Sequence, residues 1–320
     1  MPKPKITPSS TPSLPFMTGL DSDLKQHLVN GLKELWTHHS TALEGNTLTL
    51  QETHFVLSEG LTISGKSLAD HNEVVGHARA IDLLFEMVKP SHGPITHSDI
   101  FLLHKSVQTE SIFDIMSPVG GWKVEPNGRY AYNKDNRMTF HSYAHPDYIP
   151  KLMDEWCEAL NDDALNTKAD LPKLIDNYAF LHAGFTSVHP FFDGNGRMGR
   201  LLCNIPLLKA GFPPLIIRNE SRTDYLKALQ EYSEATPVPD KFTGVWPAGD
   251  AYLDKLKACC HHEYAETLEL MNQIQCEQQK RDHWREENKT KGGREARWVI
   301  DTAQLLDDID LQGFSFYFRA

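Results

Sequence analysis

Residues His189 to Arg200 read His-Pro-Phe-Phe-Asp-Gly-Asn-Gly-Arg-Met-Gly-Arg, with the apolar run Leu201-Leu202-Cys203 directly behind them. Gly194 and Gly196 permit positive φ and leave no Cβ between backbone N–H groups and a ligand. The residues from Arg197 onward have the pattern of a helix start. Such a turn gathers unpaired N–H donors at the positive end of a helix dipole, which makes an anion site. Arg197 and Arg200 are three apart, so on a helix they share a face from which planar guanidinium forks can grip phosphates. Asp193 would repel a bare phosphate. It fits a divalent cation bridging phosphate oxygens, because Mg²⁺ is commonly held by one or two carboxylates plus substrate phosphates. His189, behind the stiff Pro190, is placed to take a proton from an incoming hydroxyl. Together these groups describe metal-assisted attack of a hydroxyl on a nucleotide phosphate.

Other motifs fit the stretch less well. Gly194-x-Gly196-x-x-Gly199 satisfies a dinucleotide fingerprint, with Glu220 near the expected acidic position, but Pro190 and Asp193 interrupt the strand that should precede it. Asp193-x-Asn195 resembles the start of a calcium loop, yet Met198 and Asn204 stand where that loop needs Gly and Glu. No Gly-Lys-Ser/Thr follows to make a P-loop. A plain Asp-Gly-Asn-Gly turn explains the glycines but neither His189 nor the paired arginines.

His189-Pro-Phe-x-Asp-Gly-Asn-Gly-Arg-x-x-Arg200 resembles the signature of the Fic family of nucleotidyl-transferring enzymes at every defined position, and looser similarity extends over about residues 36–250. The resemblance implies a mostly helical, all-α Fic fold with a small β-hairpin flap. It also implies transfer of AMP from ATP, with Mg²⁺ (or Mn²⁺), to a Ser, Thr or Tyr hydroxyl of a protein target, self-modification included. Carried over by position, His189 is the general base, Phe191 anchors the loop and Asp193 binds the metal. Gly194, Asn195 and Gly196 form the anion hole, Arg197 holds the α/β-phosphates and Arg200 pairs with the γ-phosphate. Relatives that move phosphocholine or phosphate tend to carry Ala at the place of Gly194, and the phosphate-transferring branch Lys at the place of Gly196. This chain has the AMP-transfer form.

A second resemblance lies near the N-terminus. Leu24, Leu28, Leu32 and Leu35 recur at helical spacing from Asp21 to about Ala42, and Glu44-Gly45-Asn46 suits a left-handed stop. Ser40-x-x-x-Glu44-Gly45 is similar to the family's autoinhibitory motif, whose glutamate would pair with Arg200 in place of the γ-phosphate. The same glutamate supports removal of AMP in some relatives. The enzyme alternative is therefore de-AMPylation, and the alternative from another class is a non-catalytic nucleotide- or partner-binding module.

Composition sets outer limits. The 320 residues are 40% hydrophobic and 23% charged, enough for a sizeable core. A net charge of −11 argues against nucleic acid as the main partner. No apolar run reaches membrane-spanning length and no signal-peptide pattern opens the chain. Five scattered cysteines fit reduced thiols, so the expectation is a cytoplasmic protein with no membrane partner. Cys259-Cys260-His261-His262 lacks metal-ligand spacing on a helix.

The remaining stretches divide the chain into a loose arm (1–18), an inhibitory helix (19–46), a catalytic domain (47–250) and a helical C-terminal extension (251–320). Asn46 to Gly65 reads as a turn, a short capped helix and a second turn. A helix with Val74, Ala78, Ile81 and Leu84 on its buried side follows, ended by Pro90 and Gly93, then another over 98–107. His71, His77, His97 and His104 read as surface or packing residues. Residues 117–150 are rich in Gly, Asn and β-formers and predict a hairpin or extended loop, with Met138–Tyr143 as the edge that would hold a target's backbone. Helices are expected around Trp156, over 171–187 and from Arg222. Asn204 and Tyr225 are candidates for the nucleotide's base pocket, while Asn204 equally suits local packing. A long amphipathic helix is expected over 250–280, a charged stretch over 281–297, and an aromatic tail that would close the domain, bind a partner or support a homodimer.

Overall fold

The computed structural model describes residues 14–108, 118–132, 137–163 and 169–288. Most of the expected N-terminal arm, the hairpin's turn and the aromatic tail lie outside them. The described chain is mostly helical with one small sheet. Its elements are α1 (Ser22–Ala42), α2 (Leu50–His54, continuing as a wider turn over Phe55–Glu59), α3 (Leu68–Met87), α4 (His97–Val107), β1 (Gly128–Tyr132), β2 (Met138–Ser142), α5 (Ile149–Leu160), α6 (Leu171–Val188), α7 (Asn195–Leu202), α8 (Ile205–Lys209), α9 (Arg222–Ala235) and α10 (Asp254–Asn288).

Helix starts follow cap chemistry. Thr49 and Thr96 each form a reciprocal capping box, with Glu52 and Asp99, while Ser67 and Asp170 accept single N3 amides. The hairpin is antiparallel, with Gly128 opposite Ser142 and Tyr132 opposite Met138. Tyr130, Met138 and Phe140 are exposed on it.

Apolar helix α6 runs through the centre, packed against α5, α7, α8, α9 and α10, while α1 lies on α3. Trp36, Phe85, Trp156, Tyr178, Phe185 and Phe191 fill one continuous core. Leu256, Cys260, Tyr264, Met271 and Ile274 of α10 belong to it as well. The described part of the expected extension is thus built into the core. Its far end also holds the start of α1: Arg281 pairs with Asp21 and Asp23, and Arg285 with Asp21. Among the described residues, no helix is long and apolar enough to cross a membrane.

Candidate active site

The stretch 189–200 lies between α6 and α7, two buried helices that fix its ends. His189 closes α6 in the left-handed region (φ 53°, ψ 60°), and its N–H still bonds Phe185 O at 2.9 Å. A non-glycine residue there is uncommon and costs backbone energy, so the surroundings must hold it. Its ring lies flat on Tyr143, centroids 3.7 Å apart at 2°. Its Nδ1 is 3.3 Å from Thr186 O, which can only accept. The proton therefore sits on Nδ1, and Nε2 is left as the basic nitrogen. Burial, then nearby Lys123, lowers its pKa to about 3, so the imidazole is neutral near pH 7.

Phe191 is fully buried against His104 and Trp122. The side chain of Asn195 closes the turn by accepting from Phe191 N–H and donating to Phe191 O, both at 2.9 Å. Gly194 adopts φ 79° as the residue before α7. The helix begins at Asn195, two residues earlier than the sequence suggests. The N–H groups of Asn195, Gly196 and Arg197 thus form its first turn and have no carbonyl of the helix behind them. A Cβ at Gly196 would fall on the Glu44 carboxylate, so an oxygen approaches this backbone where only glycine permits it.

The two arginines stand side by side and both meet carboxylates. Arg200 is 3% exposed. Its Nη2 donates to Glu44 Oε1 at 2.7 Å and to Ser40 O at 2.8 Å, its Nε to Ser40 Oγ at 3.1 Å, and its Nη1 to Tyr225 Oη at 3.4 Å. Burial alone would lower the guanidinium's pKa, but Glu44 and Tyr225 more than offset it and hold it above the ordinary range. Arg197 bonds Glu73 Oε1 at 2.6 Å and Asp193 Oδ2 at 3.2 Å. Asn46, two residues after Glu44, donates to Glu73 Oε2 at 2.7 Å, which connects the two arginine–carboxylate pairs. Burial raises the Glu73 pKa against the pull of Arg197.

Asp193 keeps its side chain largely open to solvent. Against partial desolvation, which raises its pKa, the Gln108 amide (2.8 Å) and Arg197 hold the carboxyl below the usual range, so it is ionised. Among the described residues, no three His, Cys, Asp or Glu side chains cluster as a metal site. A single open carboxylate beside a helix N-terminus instead fits a hard cation that arrives with phosphate oxygens.

Ser40, Glu44, Asp193, Arg197 and Arg200 are thus brought together, and Gly45 turns the chain after Glu44 at φ 104°. Ser40 grips Arg200 directly, through both its hydroxyl and its carbonyl. Two candidates leave the ligand-facing set. Asn204 is fully buried, donating to Arg200 O and Leu215 O and accepting from Leu215 N–H. Its amide is committed to local backbone, so it packs rather than lines a base pocket. Tyr225 is 1% exposed and lies between Arg200 and His182 (2.6 Å), behind the arginine. It steadies that arginine.

The fold also brings here residues for which the sequence predicts no such place, Tyr143 among them, expected at the target-holding edge and found stacked on His189. His104, expected as a surface or packing residue, is 1% exposed and bonded to the signature loop. Glu73, Gln108, Lys123 and Tyr143 come from four separate segments, and no local spacing marks them. Lys123 is 2% exposed, donates to Asn127 Oδ1 at 2.7 Å, and burial lowers its pKa to about 7.

Comparison with known proteins agrees with this geometry. Residues 94–207 match the Fic/DOC family. The chain is 34% identical over 196 residues to a protein adenylyltransferase fic-1 of Caenorhabditis elegans, covering 61% of this chain and 35% of that protein. It is 31% identical over 219 residues to a protein adenylyltransferase Fic of Nematostella vectensis, covering 68% and 45% respectively. The chain thus spans between a third and a half of the length of these curated relatives. A crystal structure of a Fic-domain signaling protein from Bacteroides thetaiotaomicron shares the fold, with TM-score 0.65 at 24% identity over 81% of this chain and 94% of that one. A structure of Fic-1 from C. elegans aligns with TM-score 0.56 at 26% identity over 79% of this chain and 68% of that one. Signature loop, fold and relatives together identify residues 94–207 as a Fic domain.

Proposed function

We propose that this chain transfers AMP from ATP to a side-chain hydroxyl (Ser, Thr or Tyr) of a protein target, and that Glu44 restrains it. The observation that carries the reading is one loop presenting a neutral histidine, an open carboxylate, a free helix start and two buried arginines toward one space. His189 Nε2 takes the proton of the attacking hydroxyl while its Nδ1–H stays on Thr186 O. The hydroxyl oxygen bonds to the α-phosphorus and pyrophosphate leaves. The N–H groups of Asn195, Gly196 and Arg197 receive phosphate oxygens, and the guanidinium groups offset charge on the departing pyrophosphate. Asp193 would hold Mg²⁺ (or Mn²⁺), which when bound shields phosphate charge. Little covalent chemistry is asked of the protein. Positioning and electrostatics do most of it.

Glu44 Oε1 sits where it satisfies Arg200 and covers the Gly196 backbone, so bound ATP must displace it or shift its own phosphates away from in-line attack. Asn46 and Glu73 extend the same competition to Arg197. Labelled ATP tests the reading: the parent chain should label proteins weakly, Glu44→Gly strongly, and Glu44→Gly with His189→Ala not at all. ATP binding without transfer by Glu44→Gly would sink the transferase reading and favour a binding module. The Glu44 side chain is 39% exposed, enough to meet a water at the site. Loss of AMP from a modified target that depends on intact Glu44 would favour the reverse reaction.

A further inference from the structure

His104 joins three separately coded pieces of the site. It lies on α4, 89 residues before Asp193. Gly120 N–H donates to its Nδ1 at 2.9 Å, and its Nε2 is 3.1 Å from Asp193 O. A backbone N–H can only donate and a carbonyl can only accept. The ring is therefore neutral, with its proton on Nε2. Its face lies on Phe191, centroids 3.8 Å apart at 9°. The arrangement is closely built. Gly120 has φ 72°, and a Cβ there would run into the Lys105 stem, so only glycine brings this N–H to the ring. A Cβ at Gly194 would come within 3.5 Å of His104 Nε2. Gly120 opens the segment that leads to β1, and the next residues also hold the loop: Lys123 N–H donates to Pro190 O at 2.9 Å, and Asn127 Nδ2 to Phe191 O at 3.2 Å.

We propose that His104 is a positioning residue that fixes the backbone of Asp193, and through it the cation-binding carboxylate, while tying the loop to the segment entering the hairpin. It touches neither nucleotide nor acceptor. The proposal rests on the metal–nucleotide reading of Asp193. Removing the Nε2–H bond frees the carbonyl of Asp193 and lets its carboxylate wander, so the metal weakens while the metal-independent phosphate contacts at Arg197 and Arg200 persist. Groups that orient a metal ligand from behind typically contribute a factor of about 10 or more in metal affinity.

Two substitutions separate the bonds. His104→Gln keeps a donor near the Nε2 position, and His104→Asn keeps an acceptor near the Nδ1 position. Both are made in the full chain carrying Glu44→Gly. Mn²⁺ is titrated by electron paramagnetic resonance in the presence of α,β-methylene ATP, with thermal melts as a check on folding. His104→Asn should weaken Mn²⁺ about 10-fold and His104→Gln should recover most of that loss, with metal-free nucleotide affinity unchanged in both. Nitrogen-15 NMR of the parent should show a single neutral His104 tautomer, protonated on Nε2. Equal Mn²⁺ affinity in Asn and Gln variants would overturn the proposal, as would an Nδ1-protonated ring. Should Glu44→Gly bind Mn²⁺ with this pattern yet transfer no AMP, the transferase reading falls and the positioning role stands.

Discussion

The two ends of the signature loop are held in opposite ways. At the His189 end the surroundings brace the loop: Tyr143 stacks on the His189 ring, Thr186 O selects its tautomer, and His104 grips Asp193. At the Arg197–Arg200 end they occupy it, with Glu73 on one guanidinium and Glu44 and Ser40 on the other. A base and its acceptor need rigid geometry, whereas a phosphate site can be closed by another anion without dismantling anything. Under the proposed function, the difference is that of a loop kept ready for proton transfer and controlled through its anion-binding half. Of the residues that occupy it, Ser40 belongs to α1, Glu44 to the turn just after it, and Glu73 to α3.

The largest expected effect touches both ends at once. His39, His104 and His182 have pKa values lowered to about 3, 4 and 3 by burial, and burial lowers that of His77 as well. An unfolded chain binds protons at these histidines below about pH 6.5, while the folded chain refuses them until near pH 3–4. Stability is therefore full above pH 6.5 and is lost as pH falls, by up to about 1.4 kcal/mol per histidine per pH unit. Urea melts between pH 7.5 and 5 check this, and a flat profile would mean that these rings are protonated in the fold.

The comparison itself is broken or upheld by single substitutions at opposite ends. His189→Ala should reduce AMP transfer by roughly 10³-fold, in line with loss of a general base, while leaving nucleotide affinity within two-fold. Glu44→Gly should raise transfer by roughly 10-fold, a scale set between exposed and buried pairs because Glu44 is 39% exposed while Arg200 is buried, and should lower the melting temperature because Arg200 keeps its burial and loses its counter-charge. If Glu44→Gly changed only stability, the blocked-end description would fail. Glu73→Gln sharpens the same point at Arg197. Its pair is partly exposed, so relief of about 1 kcal/mol is expected, seen as an approximately five-fold lower KM for ATP with kcat little changed.

Much of the site was legible because its chemistry is contiguous. The signature needs only local geometry: glycines for the turn, a helix start for the anion, and three-residue spacing for the arginines. Ser40 and Glu44 were legible for the same reason, as one turn of a helix end. Asn204 stayed open between base pocket and local packing, because a buried asparagine satisfying three backbone groups has the same local sequence context as one facing a ligand. His104 was missed because a histidine on a helix carries no mark of what its ring meets 89 residues away. For α10, the spacing predicted a long amphipathic helix but not its partner, and only the fold shows that its apolar side packs on α6 as part of the core.

By itself the sequence determined which chemistry to propose, since such residue types at fixed short spacing suit few reactions, and it determined the helices, since caps and apolar periodicity act within a few residues. The tertiary structure decided which partner each of those residues meets. Arg197 faces Glu73 across 124 positions and Arg200 faces Glu44 across 156. Such pairings depend on how helices pack, where the strength of a charge pair is set by burial and direction rather than by distance along the chain.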